Sequence, residues 1–165
     1  MKKIIFLLLI SYSIQSCGVY SFTGGSVGEA KTISVPFFPN NAPFVEPSLS
    51  QKFTYALQDK FLQQTNLSLS KGSADVTFEG EISQYRITPI AATANNTASQ
   101  SRLTVGIKVR FYNKIKEEDN FEKTFTHFFD YGADEQLVGS TLETAYEEIF
   151  ERITQDIFNE AFAKW

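Results

Sequence analysis

The chain has 165 residues, enough for a single core of ordinary size, and its net charge of −4 argues against nucleic acid as a partner. It contains one cysteine and one histidine, which leaves no disulfide framework and no His/Cys metal site. Phenylalanine is abundant, with 16 residues, and most of these side chains are expected in the core.

The first 17 residues have the pattern of a secretory signal peptide. Lys2 and Lys3 precede an apolar run, residues 4–10, that is too short to span a bilayer. Residues 14–16, directly before Cys17, resemble a lipobox, although Gln15 is not the most common type of residue at its position. This resemblance implies removal of residues 1–16 and acylation of Cys17. Gly18 in place of aspartate favours the outer membrane over retention in the inner one.

Residues 17–30, rich in Gly and Ser, are predicted to be the lipidated cysteine and a flexible tether, followed by one domain over residues 31–165. Alternation around Ile33 predicts a first strand, and Pro36 places that strand at a sheet edge or marks its end. Residues 38–47, with three prolines, predict a loop. A helix follows from Ser48 to about Phe61, with Ser48 to Gln51 at capping-box spacing.

Two long strands are predicted next. In residues 74–88 the apolar parity switches, which indicates a bulge near Ser83 and Gln84. Residues 89–101 are almost uncharged and predict a long, mobile loop. Residues 102–112 alternate between apolar residues on one face and polar or basic residues on the other.

The C-terminal part contributes a strand and a helix. Residues 113–120 predict a charged turn and residues 121–131 an aromatic strand. A second capping box at Ser140 predicts the start of a helix that carries an apolar stripe and many carboxylates. The element order β-α-β-β-β-α predicts an α+β fold, a two-layer sandwich with both helices on one face of a four-stranded, mostly antiparallel sheet.

The layout and several segments together resemble the LptE family of lipopolysaccharide-assembly lipoproteins in its Bacteroidota-type form. The segments are Gly-Val-Tyr-Ser-Phe after Cys17, Ile-Ser-Val-Pro-Phe-Phe from Ile33, residues 48–61 and residues 125–157. The resemblance implies an outer-membrane lipoprotein that acts as a plug inside the LptD β-barrel. It also implies that the pair inserts lipopolysaccharide into the outer leaflet, with no enzymatic activity and no cofactor.

The resemblance further implies basic contacts to lipopolysaccharide, whose phosphates pair well with guanidinium groups. Arg102, Lys108 and Arg110 have the parity to project from one sheet face, and Arg86 on the adjoining strand can join them if the bulge allows. The alternative is an ordinary solvated face. Aromatic residues left over from the core, such as Phe128, Tyr131 and Phe150, are predicted as contacts to the barrel.

The sequence offers two alternative functions. Residues 24–28 match the G-x-S-x-G motif of serine hydrolases around Ser26. They lie in the tether, however, and no strand precedes them, so a hydrolase that uses Ser26 and His127 is disfavoured. The remaining alternative is a free periplasmic lipoprotein that binds a small apolar or glycan ligand between sheet and helices.

Overall fold

The computed structural model describes residues 27–44, 46–90 and 99–163. The predicted signal peptide, Cys17, Ser26 and most of the predicted 89–101 loop lie outside these residues. The elements, in chain order, are strand β1 (Thr32–Ser34), helix α1 (Leu49–Gln64), strands β2 (Ser68–Leu69), β3 (Val76–Ile90) and β4 (Gln100–Asn113), a short 3₁₀ turn (Glu117–Asp119), strand β5 (Phe121–Gly132) and helix α2 (Gly139–Phe162).

The sheet has five strands in the order β2-β1-β3-β4-β5 and is mixed. β1 runs parallel to both β2 and β3, whereas β3, β4 and β5 are antiparallel neighbours. The prediction of four mostly antiparallel strands was therefore wrong in number and partly in direction. The missed strand, β2, is two exposed residues long, too short to show alternation, and it returns parallel to β1 because α1 crosses between them.

β1 ends before Pro36, and side-chain contacts hold it in place. Asp75, just before β3, accepts hydrogen bonds of 2.9 Å from the backbone N–H groups of Lys31 and Thr32. The Thr32 hydroxyl adds a third hydrogen bond of 2.8 Å. These hydrogen bonds, led by that from Lys31, lower the pKa of Asp75 below its ordinary value.

The predicted loop after β1 is pinned to the sheet. The backbone N–H of Ile82 donates to the Pro39 carbonyl, and that of Asn41 donates to the Ile82 carbonyl, each at 2.9 Å. Fully buried Phe38 therefore lies over Gly80 in β3. Gly80 is needed here because any side chain would meet the Phe38 ring and the backbone of β4.

Both helices pack on the same face of the sheet, as predicted. Phe61 of α1 and Phe162 of α2 contact each other and Phe78 of β3, with ring centroids 4.4 to 6.0 Å apart. Phe78 in turn contacts Phe111 of β4 at 4.7 Å. Buried aromatic side chains thus occupy the space between the layers, where the free-lipoprotein hypothesis places a ligand.

The two helices run parallel to each other with a constant offset. The ammonium of Lys60 lies 2.7 Å from a carboxylate oxygen of Glu151, and Gln64 donates to Gln155 at 3.4 Å. Lys52 pairs with Glu143, so all three pairs join residues 91 positions apart. A fixed offset over three turns requires helices that point the same way.

Neither predicted capping box forms. Ser48 precedes α1, but its side chain makes no cap hydrogen bond, and its hydroxyl lies 3.1 Å from a carboxylate oxygen of Glu46 instead. α2 begins one residue before Ser140, at Gly139, which adopts a positive φ of 55°. The glycine permits this left-handed entry, and the entry removes Ser140 from the N-cap position.

Candidate functional site: the helix-free face of the sheet

The helix-free face consists of the alternate residues of β3, β4 and β5 that point away from the helices. The β4 residues opposite to it, including Leu103, Val105 and Ile107, are completely buried in the core. This face is mostly polar and charged, rich in threonine, and has few apolar side chains. Its uncharged polar members are Thr77, Gln84, Thr88, Thr104, Thr124 and Thr126.

The structure places all four predicted cationic residues on this face. Arg102, Lys108 and Arg110 follow one parity of β4, as their alternation predicts. In β3 the register shifts between Ile82 and Gln84, which confirms the predicted bulge. The shift returns Arg86 to the helix-free face, opposite Thr104 of β4.

Arg102 is engaged with β5. Its Nε and one terminal nitrogen donate to the two carboxylate oxygens of Asp130, at 2.6 and 2.8 Å. Its guanidinium carbon lies 3.6 Å from the ring centroid of Phe128. The hydrogen bond to Asp130 raises the pKa of Arg102 above its ordinary value. The fork and the stacking fix this guanidinium in one orientation.

Lys108 and Arg110 lie among carboxylates from both neighbouring strands. Lys108 is 2.7 Å from Glu122 of β5 and stands opposite Glu81 of β3. Arg110 stands between Glu79 and Glu122 in the strand register. The hydrogen bond from Lys108, with the charge of Arg110, lowers the pKa of Glu122 below its ordinary value.

The face is therefore charge-balanced. Against its four cationic residues stand four carboxylates, namely Glu79, Glu81, Glu122 and Asp130. The alternation of Glu79 and Glu81 in the sequence predicted only a solvated strand face, because each strand was considered without its neighbours. Pairing residues across the two hairpins would have found them, since opposite charges are favoured at facing positions.

Arg86 differs from Arg102 and Lys108, which are ion-paired, and from Arg110, which faces Glu79 and Glu122 in the strand register. It is exposed, and within the part of the chain that the structure describes it makes no hydrogen bond or ion pair. Its cross-strand partner is a threonine instead of a carboxylate. Arg86 is consequently the cation on this face that is most available to an anionic group.

The aromatic residues predicted as contacts to a barrel fall into two groups. Tyr131 and Phe150 are 8% and 5% exposed and belong to the core, so they were wrongly assigned. Phe128 is 40% exposed and lies on the helix-free face under Arg102. Strand parity separates Phe128 from Tyr131, which point to opposite faces of β5, whereas Phe150 lies on α2 among its buried residues.

His127 lies on the other face, with its Nε2 atom 2.7 Å from an Asp156 carboxylate oxygen on α2. Over residues 27–44, 46–90 and 99–163, no group of three His, Cys, Asp or Glu residues is placed to hold a metal ion. Neither helix in the same residues has the length and apolar character that a membrane span needs.

The chain matches the model of the lipopolysaccharide-assembly family LptE over residues 30–161. The protein therefore belongs to the LptE family, and the resemblance found in the sequence is confirmed. Members of this family are non-catalytic lipoproteins that take part in lipopolysaccharide assembly. No curated protein sequence matches the chain.

Several solved structures are similar to the chain at low sequence identity. The hypothetical protein CT253 from Chlamydia trachomatis is 12% identical, with a TM-score of 0.52, over 82% of this chain and 100% of the other. PelC from Paraburkholderia phytofirmans, a dodecamer, is 8% identical with a TM-score of 0.47, over 79% and 90% of the two chains. The rare lipoprotein B from Shewanella oneidensis is 9% identical with a TM-score of 0.44, over 78% and 90%. At such identities the similarity concerns the fold alone.

Proposed function

We propose that this protein is an outer-membrane lipoprotein, acylated at Cys17, that acts as plug and assembly subunit of the LptD β-barrel. The pair would insert lipopolysaccharide into the outer leaflet. The observation that carries this proposal is the family match, which spans nearly the whole described domain. The signal peptide and lipobox-like residues before Cys17 supply the membrane anchor.

The helix-free face suits a polar surrounding. The interior of a large membrane barrel is polar, because only the outward-facing residues of its strands contact lipid. The β4–β5 part of this face, where Arg102 pairs with Asp130 and Lys108 with Glu122, can lie against such a wall with both ions of each pair compensated. This β4–β5 part is therefore proposed as the surface that LptD contacts, with Phe128 as an aromatic anchor.

Lipopolysaccharide is proposed to bind on the same face, through its phosphates. Arg86 can donate hydrogen bonds to a phosphate directly, since it has no partner among the described residues. Arg102 and Lys108 would exchange a carboxylate for a phosphate, which costs part of the binding energy, and Arg110 faces two carboxylates that repel a phosphate. Arg86 is thus expected to contribute most to binding.

Extraction in mild detergent, followed by mass spectrometry of the bound proteins, tests the barrel partnership. The proposal expects co-purification of a large barrel protein and labelling of the chain by palmitate, lost in Cys17→Ser. Recovery of the chain alone, stable and unlabelled, would contradict it and favour the free periplasmic lipoprotein.

The lipid contact is tested separately with purified protein and lipopolysaccharide. Arg86→Glu is expected to weaken binding strongly, and the Lys108→Glu/Arg110→Glu double variant more modestly. Lys114→Glu, which makes the same charge change in the turn after β4, is the control. Equal binding by all of these variants would remove the basic residues from the proposal.

A further inference from the structure

A groove of about 720 Å³ lies between the two helices, and every residue lining it belongs to α1 or α2. Its floor includes Ala56, Tyr146 and Phe150, of which the two aromatic side chains are almost completely buried. The three cross-helix pairs run from Lys52 to Gln64 along the groove. At 1.5 Å per residue this is a length of about 18 Å, or roughly three turns of a helix.

The groove is acidic. Five carboxylates and two ammonium groups line it, a net charge of −3; they are Asp59, Glu143, Glu147, Glu148 and Glu151 against Lys52 and Lys60. Both lysines are already paired, with Glu143 and Glu151 respectively. Asp59 and Glu147 have no hydrogen bond or ion pair within the described chain, so their negative charge is uncompensated.

An apolar border runs along the same groove. Tyr55 and Leu62 of α1 are 56% and 44% exposed. They are seven residues apart, about two turns, and therefore lie on the same side of α1. Each comes one position before a residue that lines the groove, so this side is rotated by about 100° around the helix axis from the groove wall. Apolar side chains and unpaired carboxylates therefore lie side by side along α1.

We propose that this groove docks a basic amphipathic helix from a partner protein, about three turns long. Its arginine or lysine side chains would face Asp59 and Glu147, and its apolar side chains would cover Tyr55 and Leu62. Docking of an amphipathic helix in a groove is a recurring mode of peptide recognition, and the charge of a basic helix complements that of this groove. The proposal concerns the helical layer, on the opposite side of the molecule from the helix-free face, and does not depend on the LptD partnership.

The experiment introduces a photo-crosslinking amino acid at exposed Gln63, in the full chain in intact cells, and sequences the cross-linked peptide. The expected adduct is a segment of another protein with net positive charge. Its yield should fall at least about fivefold in the Asp59→Asn/Glu147→Gln variant, because the complementary charge is lost.

The matched control, Glu117→Gln/Glu118→Gln, removes two carboxylates from the 3₁₀ turn, which lines no part of the groove, and should leave the yield unchanged. An acidic or neutral segment, a second copy of this chain, an absent adduct, or a yield insensitive to Asp59 and Glu147 would each overturn the proposal. Loss of the barrel partner in detergent extraction, with the basic adduct retained, would instead refute only the proposed function.

Discussion

Gly80 is the position where the fold tolerates a methyl group least. A Cβ atom there would lie 2.6 Å from Cε1 of Phe38 and still closer to the Lys108 carbonyl oxygen, whereas ordinary contacts begin at 3.4 Å. The Phe38 ring cannot withdraw freely, because it is fully buried and its backbone N–H donates to Thr54 of α1 at 3.1 Å. It also packs edge-on against Phe53 at 5.3 Å.

Gly80→Ala must therefore displace the loop that carries Phe38 or separate β3 from β4. Overpacking costs about 1–3 kcal/mol, and one or two weakened ladder hydrogen bonds add about 1 kcal/mol each. The expected loss in unfolding free energy is about 2–5 kcal/mol. With an m-value of about 2 kcal/mol per molar urea, the unfolding midpoint should fall by about 1–2.5 M.

Urea unfolding followed by circular dichroism measures this shift on a chain that begins at Gly18. Gly72→Ala is the matched control, since nothing lies within 4 Å of a Cβ atom at that position. Combining Gly80→Ala with Phe38→Leu should recover part of the lost stability, because the two side chains compete for the same space. Equal midpoints for Gly80→Ala and Gly72→Ala would refute the close approach of strand and loop.

Three further predictions concern charged residues. Asp75→Ala should destabilise the fold at neutral pH. Because the folded state lowers the pKa of Asp75, its hydrogen bonds stabilise the fold only while the carboxylate is ionised, and the difference from the unchanged protein should shrink below about pH 3.8. A difference in unfolding free energy that persists in acid would exclude this cause. Lys60→Met should change the unfolding free energy by less than about 1 kcal/mol. The ammonium of Lys60, only 7% exposed, is costly to desolvate, and its partner Glu151, 71% exposed, stays in water when the lysine is removed. A loss above about 2 kcal/mol in thermal unfolding would contradict this. Arg102→Lys should lower the melting temperature more than Arg110→Lys does, since only Arg102 makes a two-point contact to Asp130; equal effects would argue against that contact.

Local patterns in the sequence were sufficient wherever a residue's position depends on its own strand or helix. The alternation in β4 put Arg102, Lys108 and Arg110 on one face, and the parity switch in β3 located the bulge. The helical periodicity likewise found both helices to within a few residues. These features follow from side-chain direction along a single element, which repeats every two or 3.6 residues.

The tertiary structure decided what depends on two elements meeting. No periodicity could reveal β2, whose two residues pair with β1 only because α1 returns the chain beside it. The carboxylates that neutralise the basic strand, and the acidic groove between α1 and α2, come from residues far apart in the chain. Which of these residues become neighbours depends on the register of the strand pairs and on the offset between the helices. Both are fixed by packing of the whole core and not by any local preference.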